Sequence, residues 1–300
     1  MKTQEIKRIL IPTDFSETGL LAMEHAVFMA RLLKAHLFLL HVVENFEYSY
    51  SIYEPEVLIV ENEGAYEIAK EKTERLAARI SKENAINVTA LVGSGRAAQG
   101  IADAVKENHI DLVIMGTHGV QGFEEYFIGS NAHKVVNTGI CPVITIQQHA
   151  TKKGFTNIVM PIDNSLYSRQ KTDHVIRMAN LFGSKVHILG LLSSNEKIDE
   201  KKFGIKLDSV ENALKKAGIR YDRKTVKGKN IADEALKYAD EVKADLIVIM
   251  TDHESALKGN FLTGHARQIV NHSTIPVMSI KPLLGSTLDE PGLSAADPLF

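Results

Sequence analysis

Tryptophan is absent from this chain of 300 residues, cysteine occurs once, and aromatic residues make up only 6%. A single cysteine, Cys141, excludes an intramolecular disulfide framework and a zinc site built on thiolates. A core with so few rings must be mostly aliphatic, which suits the buried strands of a parallel sheet. Charge of one sign is missing too. Lys+Arg is 35 and Asp+Glu is 37, for a formal net charge of −2. Such a chain has no global field to draw in nucleic acid or an anionic membrane. No apolar run approaches the roughly 18 residues of a membrane span, and the opening Met1–Arg8 has no apolar signal region. The expectation is a soluble, cytoplasmic protein from a reducing compartment, with neither nucleic acid nor membrane as partner. The composition, 44% hydrophobic and 24% charged, is that of a globular chain. At roughly 100–200 residues per domain the length suggests two domains.

What is present is a repeat. Ile9-Leu-Ile-Pro-Thr-Asp-Phe-Ser16 returns as Ile158-Val-Met-Pro-Ile-Asp-Asn-Ser165, a shift of 149 residues. The same shift pairs His25 with His174, Met29 with Met178 and Ala30 with Ala179. Asp111–Met115 returns as Asp245–Ile249, and Cys141–Ile146 as Ile275–Ile280, now at a shift of 134. The second copy is therefore shorter, and the length is lost after its second strand. Glu44–Tyr66 is long and polar-aromatic, whereas its counterpart Ser193–Gly204 is short. A period this long marks duplicated domains rather than a solenoid.

Within each copy, short aliphatic runs alternate with helical spacing. Strands are expected at Ile9–Thr13, Leu37–Val43, Asn87–Val92, Leu112–Met115 and Pro142–Ile146. The second copy repeats them at Ile158–Ile162, Val186–Leu192, Arg220–Val226, Leu246–Ile249 and Pro276–Ile280. The fold class is α/β: two tandem, doubly wound, parallel five-stranded sheets, Rossmann-like, covered by helices on both faces. The domains are placed at 1–150 and 151–282, joined by the polar stretch Gln147–Phe155. A tail, 283–300, has no counterpart in the first copy.

In such sheets ligands bind beyond the carboxyl ends of the strands, where strand order reverses. Pro12-Thr13-Asp14 follows the first strand. Gly116-Thr117-His118-Gly119 follows the fourth and leads to Gly129-Ser130, at the start of a helix. Glycines let the backbone approach a ligand closely, and amides at a helix N-terminus favour anions. The set reads as a phosphate cradle without a lysine. Each part also has a plain reading: turn glycines, Ser130 as a helix cap, Asp14 as a cap or turn residue.

These motifs resemble the universal stress protein family in a tandem form. The resemblance covers roughly residues 3–148 and 155–282. Its marks are the Pro-Thr-Asp turn and the spacing of Gly, two residues, Gly, nine residues, Gly-Ser, which the first copy matches in full. The resemblance implies an adenine nucleotide alpha hydrolase-like sheet and a bound ATP. Thr13 and Asp14, after Pro12, would face adenine. Val42 or Val43 would line base and ribose. Met115, Gly116 and Gly119 would hold ribose and phosphate, with Thr117 and His118 between them in the loop. Gly129, Ser130 and Asn131 would bind phosphates, and a divalent metal such as Mg2+ would bridge phosphate oxygens. The resemblance further implies that the domains pair as a pseudo-dimer through Pro142–Ile146 and Pro276–Ile280. Association of two chains and a protein partner stay open.

Two departures stand out. Glu124 and Glu125 lie where the family often carries basic residues. The second copy has Met250 for Gly116, His253 for Gly119 and Thr263-Gly264 for Gly129-Ser130. It is expected not to bind ATP in the same way. Other signals carry little. Gly93-Ser-Gly95-Arg-Ala-Ala98 mimics a dinucleotide fingerprint but follows the third strand, with no acidic residue placed for a ribose. Asp252-His253-Glu254 is a weak metal candidate. Cys141 reads as a small core residue, and His41 as a satisfied interior or edge histidine. Lys70–Glu83 reads as a solvated helix face. Tyr48, Tyr50, Tyr53 and Tyr66 cluster near the insert. No general base or nucleophile is evident, so a regulatory ATP-binding module in the stress response is favoured over a slow Mg-dependent ATPase or a scaffold that has lost its ligand.

Overall fold

The computed structural model describes residues 5–44, 47–49, 57–59, 63–117, 129–194, 199–251 and 264–283. The first half runs β1 (Arg8–Pro12), α1 (Glu17–Leu33), β2 (His36–Val43), then β3 (Glu47–Ser49) and β4 (Val57–Ile59). It continues with α2 (Glu63–Asn84), β5 (Val88–Ser94), α3 (Ala97–Glu107), β6 (Leu112–Gly116), α4 (Ser130–Thr138) and β7 (Val143–Ile146). The second half runs β8 (Asn157–Ile162), α5 (Thr172–Phe182), β9 (Lys185–Ser193), α6 (Glu200–Lys216) and β10 (Arg220–Gly228). It ends with α7 (Ile231–Glu241), β11 (Leu246–Met250), α8 (Gly264–His272) and β12 (Val277–Ile280). The chain divides into two compact units, one carrying β1–β7 and the other β8–β12.

In the first unit the strand order is β5-β2-β1-β6-β7, and every pairing in it is parallel. Ile9 stands against Leu37 on one side and Leu112 on the other, and all three are fully buried. Burial on both faces is what the unbroken aliphatic runs require. Because β1 is central, the chain steps from β1 to β2 to β5, then crosses back to β6. Right-handed crossovers therefore put α1 and α2 on one face and α3 and α4 on the other. The contacts agree: α1 touches α2, and α3 touches α4. The reversal of direction falls between β1 and β6. The insert after β2 forms a small antiparallel pair, Tyr48 opposite Leu58, where the sequence suggests only a long loop.

The second unit repeats the scheme as β10-β9-β8-β11-β12, all parallel, with its reversal between β8 and β11. One device is shared. Asp111 accepts the backbone N–H of Lys7 at 2.8 Å and of Arg8 at 2.9 Å, closing the start of β1. Asp245 accepts the N–H of Thr156 at 2.9 Å and of Asn157 at 2.8 Å, closing the start of β8. One element differs. Helix α1 opens at Glu17, but α5 opens only at Thr172, so its first turn and a half is replaced by turns at 166–171. At Gly19 an added Cβ would lie 2.9 Å from Asp14 Oδ1. The second copy carries Ser168 at that place, and its hydroxyl accepts the Asp163 N–H at 3.0 Å.

Candidate functional site

The first unit's reversal point is built from the ends of β1 and β6. Pro12 closes β1 opposite Leu40. The buried Thr13 donates its N–H to Leu40 O at 2.8 Å and accepts the Phe15 N–H on Oγ1 at 3.0 Å. The exposed Asp14 accepts the Ser16 N–H at 2.9 Å and the Ser16 hydroxyl at 2.5 Å, both on Oδ1. Ser16 is the N-cap of α1 and accepts the Gly19 N–H at 3.1 Å. Asp14 is thus a turn residue that holds the cap, and this uses only one of its oxygens. Phe15 sits at φ 60°, in the left-handed region. Its ring lies 4.8 Å from that of His41, with Lys72 Nζ 3.8 Å from the ring centroid. His41 donates from Nδ1 to Thr13 O at 2.8 Å, so it is a satisfied histidine of fixed tautomer.

Across the reversal, Met115 is buried and Gly116 ends β6. An added Cβ at Gly116 would lie 3.0 Å from Thr18 O and 3.1 Å from Thr18 C, so the glycine lets α1 press onto the strand end. Thr117, also buried, donates its N–H to Ile146 O at 3.1 Å. Its own carbonyl accepts the N–H of Gly129, which fixes the start of α4 beside β6. Gly129 is the N-cap of α4 and offers no side-chain cap, so Ser130 is the first helical residue and not the cap. The first-turn N–H groups of Ser130 and Asn131 have no intrahelical acceptor. Asn131 Nδ2 donates to Glu44 Oε1 at 3.3 Å. Val42 turns toward α3, where a Cβ on Gly100 would meet its Cγ2 at 2.9 Å. Val43, next along the strand, faces the other side.

The structure therefore brings together Pro12, Thr13, Asp14, Met115, Gly116, Thr117, Gly129, Ser130 and Asn131, with Val42 and Val43 at the neighbouring strand end. His118, Gly119, Glu124 and Glu125 lie outside the described residues, as do Tyr50, Tyr53, Asp252-His253-Glu254 and Thr263. Tyr66 donates its hydroxyl to Val92 O at 3.4 Å. Phe15, Glu44 and Lys72 escape a reading of the sequence. Lys72 belongs there to a solvated charge run, and nothing in the sequence marks a left-handed Phe15.

The model of the universal stress protein family matches residues 5–147 and, separately, 154–281. The chain belongs to the universal stress protein family. Universal stress protein YxiE of Bacillus subtilis is 29% identical over 147 residues, which span 47% of this chain and 98% of that one. Universal stress protein MJ0577 of Methanocaldococcus jannaschii is 28% identical over 155 residues, 47% of this chain and 95% of its own. A universal stress protein of Archaeoglobus fulgidus superposes with a TM-score of 0.73 at 17% identity, covering 93% of this chain and 99% of that one. The curated relatives thus match about half of this chain, and the Archaeoglobus structure shares the tandem fold.

In this tandem member the second reversal point has changed chemically. Asp163 Oδ1 still accepts the Ser165 N–H at 3.1 Å and hydroxyl at 2.6 Å. Where the first copy has Thr18, Ala22 and Gly116, the second has Tyr167, Lys171 and Met250, and these three line a cavity of about 60 Å³. Lys171 is 2% exposed. Its ammonium donates to Ser168 O at 2.6 Å. Burial drives its pKa down to about 8, against the pull of Asp163 and with help from the nearby Lys206 cation. Asp163 is held below its ordinary value despite its own burial, chiefly by the Lys171 charge and by hydrogen bonds from Ser165 and Ser168.

Lys171 makes the stability of the second domain depend on pH. The unfolded chain holds this proton up to the ordinary lysine value of 10.5, the folded chain only to about 8. Between those values the unfolded state binds more protons, so stability rises with pH. The stability that Lys171 withholds at neutral pH is about 3 kcal/mol, at ~1.4 kcal/mol for each tenfold loss of proton affinity on folding. Urea midpoints of wild type and Lys171→Met, followed from pH 7 to 10.5, should converge or cross as the wild type gains. Parallel profiles would mean the lysine is not desolvated.

Other titratable clusters lie away from these sites. His187 pairs with Asp222 at 2.8 Å, but both stand near the amino ends of β9 and β10, the wrong end of the sheet. Cys141 is half-buried, and burial raises its thiol to about 12, so it is no nucleophile. Among the described residues no group of acidic, histidine or cysteine side chains is placed to hold a metal, and no helix is long and apolar enough to cross a membrane.

Proposed function

We propose that this protein is a nucleotide-binding regulatory module that takes ATP in its first domain only. The observation that carries the reading is the N-terminus of α4. It opens from Gly129 beside the end of β6, lacks a side-chain cap, and leaves the amides of Ser130 and Asn131 without intrahelical acceptors. Such amides, with the positive end of the helix dipole, suit phosphate. Gly116 lets α1 pack against the strand end that holds the cradle, and Asp14 keeps one carboxylate oxygen for the base. Thr13 and either Val42 or Val43 wall the base and ribose. Mg2+ would bridge the phosphates. In the second domain Tyr167, Lys171 and Met250 take up the equivalent room, which supports a single site.

The boundaries at 1–150, 151–282 and 283–300, pairing of the two domains within a chain through their last strands, and a cytoplasmic setting belong to the same reading. Nucleotide recovered by heat extraction should be ATP by mass spectrometry, and calorimetry with Mg2+ should give one site per chain. Gly129→Val should abolish that binding and Thr263→Val should leave it intact. No nucleotide and no heat would sink the reading in favour of a scaffold, and ADP accumulating over hours would replace it with a slow ATPase.

Glu44 is the feature that favours the scaffold. Its carboxylate reaches the first turn of α4 through Asn131 and opposes a triphosphate there. If ATP binds, Glu44→Gln should tighten it about three- to tenfold in low salt, with the gain shrinking as salt screens the charge. An unchanged Kd would place the phosphates elsewhere.

A further inference from the structure

We infer that the second domain carries its own site, for a small oxoanion, in the cavity between the end of β8 and the start of α8. The central observation is Lys171. A lysine ammonium has three N–H donors. Here Ser168 O takes one, and among the described residues no second acceptor lies within hydrogen-bond distance. Asp163 attracts the ammonium through its charge but makes no hydrogen bond to it. Buried charges are normally fully hydrogen-bonded, because leaving such donors unmade is costly. Lys171 lines a cavity of about 60 Å³, and an occupant of that cavity is placed to supply further acceptors.

The surroundings select the occupant. Ser165 and Ser168 line the same cavity, and His265 and Ala266 line it from the first turn of α8. The nine-residue α8 turns the positive end of its dipole toward this space. Asp163 lines the cavity as well, and its carboxylate offsets one cation. Its Oδ1 is already held by Ser165, and a second cation, Lys206, binds the same loop by donating to Ser165 O at 2.7 Å. Two ammonium groups against one carboxylate leave the loop with a net positive charge. The volume is that of a few heavy atoms, far below a nucleotide. Sequence and structure thus describe an exchange. The first copy has a small, buried Ala22 at this point, while the second has a cation there, beside a small cavity.

The occupant is a small oxoanion such as inorganic phosphate, sulfate or a short carboxylate. The test uses the full chain carrying Gly129→Val, so that the first domain's cradle does not contribute. Phosphate, sulfate and acetate are titrated separately, with heat and the amide resonances of residues 165–172 as readouts. A saturable heat with shifts in those amides is expected from at least one anion, and Lys171→Met in the same background should weaken it at least tenfold. A response to phosphate and sulfate alone assigns a tetrahedral anion, and a response to acetate alone assigns a carboxylate. If no anion gives saturable heat, or if Lys171→Met binds as well, the cavity holds only water and the inference is overturned. Lys171→Met puts an apolar side chain into a buried place. Should it nevertheless misfold, wild-type amide shifts that avoid 165–172 overturn the inference on their own.

Discussion

Asp245→Ala should cost the second domain about 3 kcal/mol, a large loss for a polar side chain. Asp245 is only 11% exposed, yet it accepts four hydrogen bonds. Lys152 Nζ donates at 2.6 Å, Thr156 Oγ1 at 2.7 Å, the Thr156 N–H at 2.9 Å and the Asn157 N–H at 2.8 Å. Hydrogen bonds to a charged group contribute roughly 1.5–3 kcal/mol each, though not additively. Truncation also removes the acceptor of two backbone donors at the mouth of the central strand β8. Asp111, the matching residue of the first domain, closes β1 with two backbone bonds in a more exposed setting, so Asp111→Ala should cost less, about 2 kcal/mol. Urea unfolding with hydrogen exchange at β1 and β8 reads the domains separately. A loss below about 1 kcal/mol for Asp245→Ala would show that the strand start is held by sheet pairing alone.

The sheet is legible in the sequence because its physics is simple. Ile9–Ile11, Leu37–Leu40 and Leu112–Ile114 are apolar runs buried on both faces, as a covered parallel sheet requires. The duplication makes the topology legible as well, since one copy's order predicts the other's. The candidate site is legible as far as backbone chemistry carries it: the Pro12–Asp14 turn, Gly116, and the start of α4 at Gly129. Three things are not legible, and each arises from side chains meeting across the fold. The delayed start of α5 goes with Ser168, which stands in place of Gly19 and accepts the Asp163 N–H. The left-handed Phe15 depends on its ring packing with His41 and Lys72. The buried charge of Lys171 looks, in sequence, like one more polar residue before a helix. Its meaning appears only when its neighbours and the cavity are in place.

Gly116→Val should reduce ATP binding by more than about 100-fold, and Met250→Val should leave it unchanged. The effect is steric before it is functional. A Cβ at position 116 would lie 3.0 Å from the Thr18 carbonyl oxygen and 3.1 Å from its carbon, both fixed parts of α1. Backbone cannot rotate aside as a side-chain tip can, so α1 must move or the strand end must tilt, at about 1–3 kcal/mol for overpacking. Either movement reaches the ligand. The start of α1 carries Ser16, which is held by Asp14, and the end of β6 leads through Thr117 to the Gly129 amide. One substitution therefore displaces the groups proposed for the base and for the phosphates together, and misplacing a binding constellation by even about 1 Å is costly. Met250 already carries a side chain at the equivalent place, so valine there adds no new collision. Calorimetry on both variants, with folding checked by circular dichroism, separates the outcomes. If folded Gly116→Val binds ATP as the wild type does, the ligand does not depend on the reversal point of the first domain. If Met250→Val alters ATP affinity, the second domain takes part in binding and the single-site reading fails.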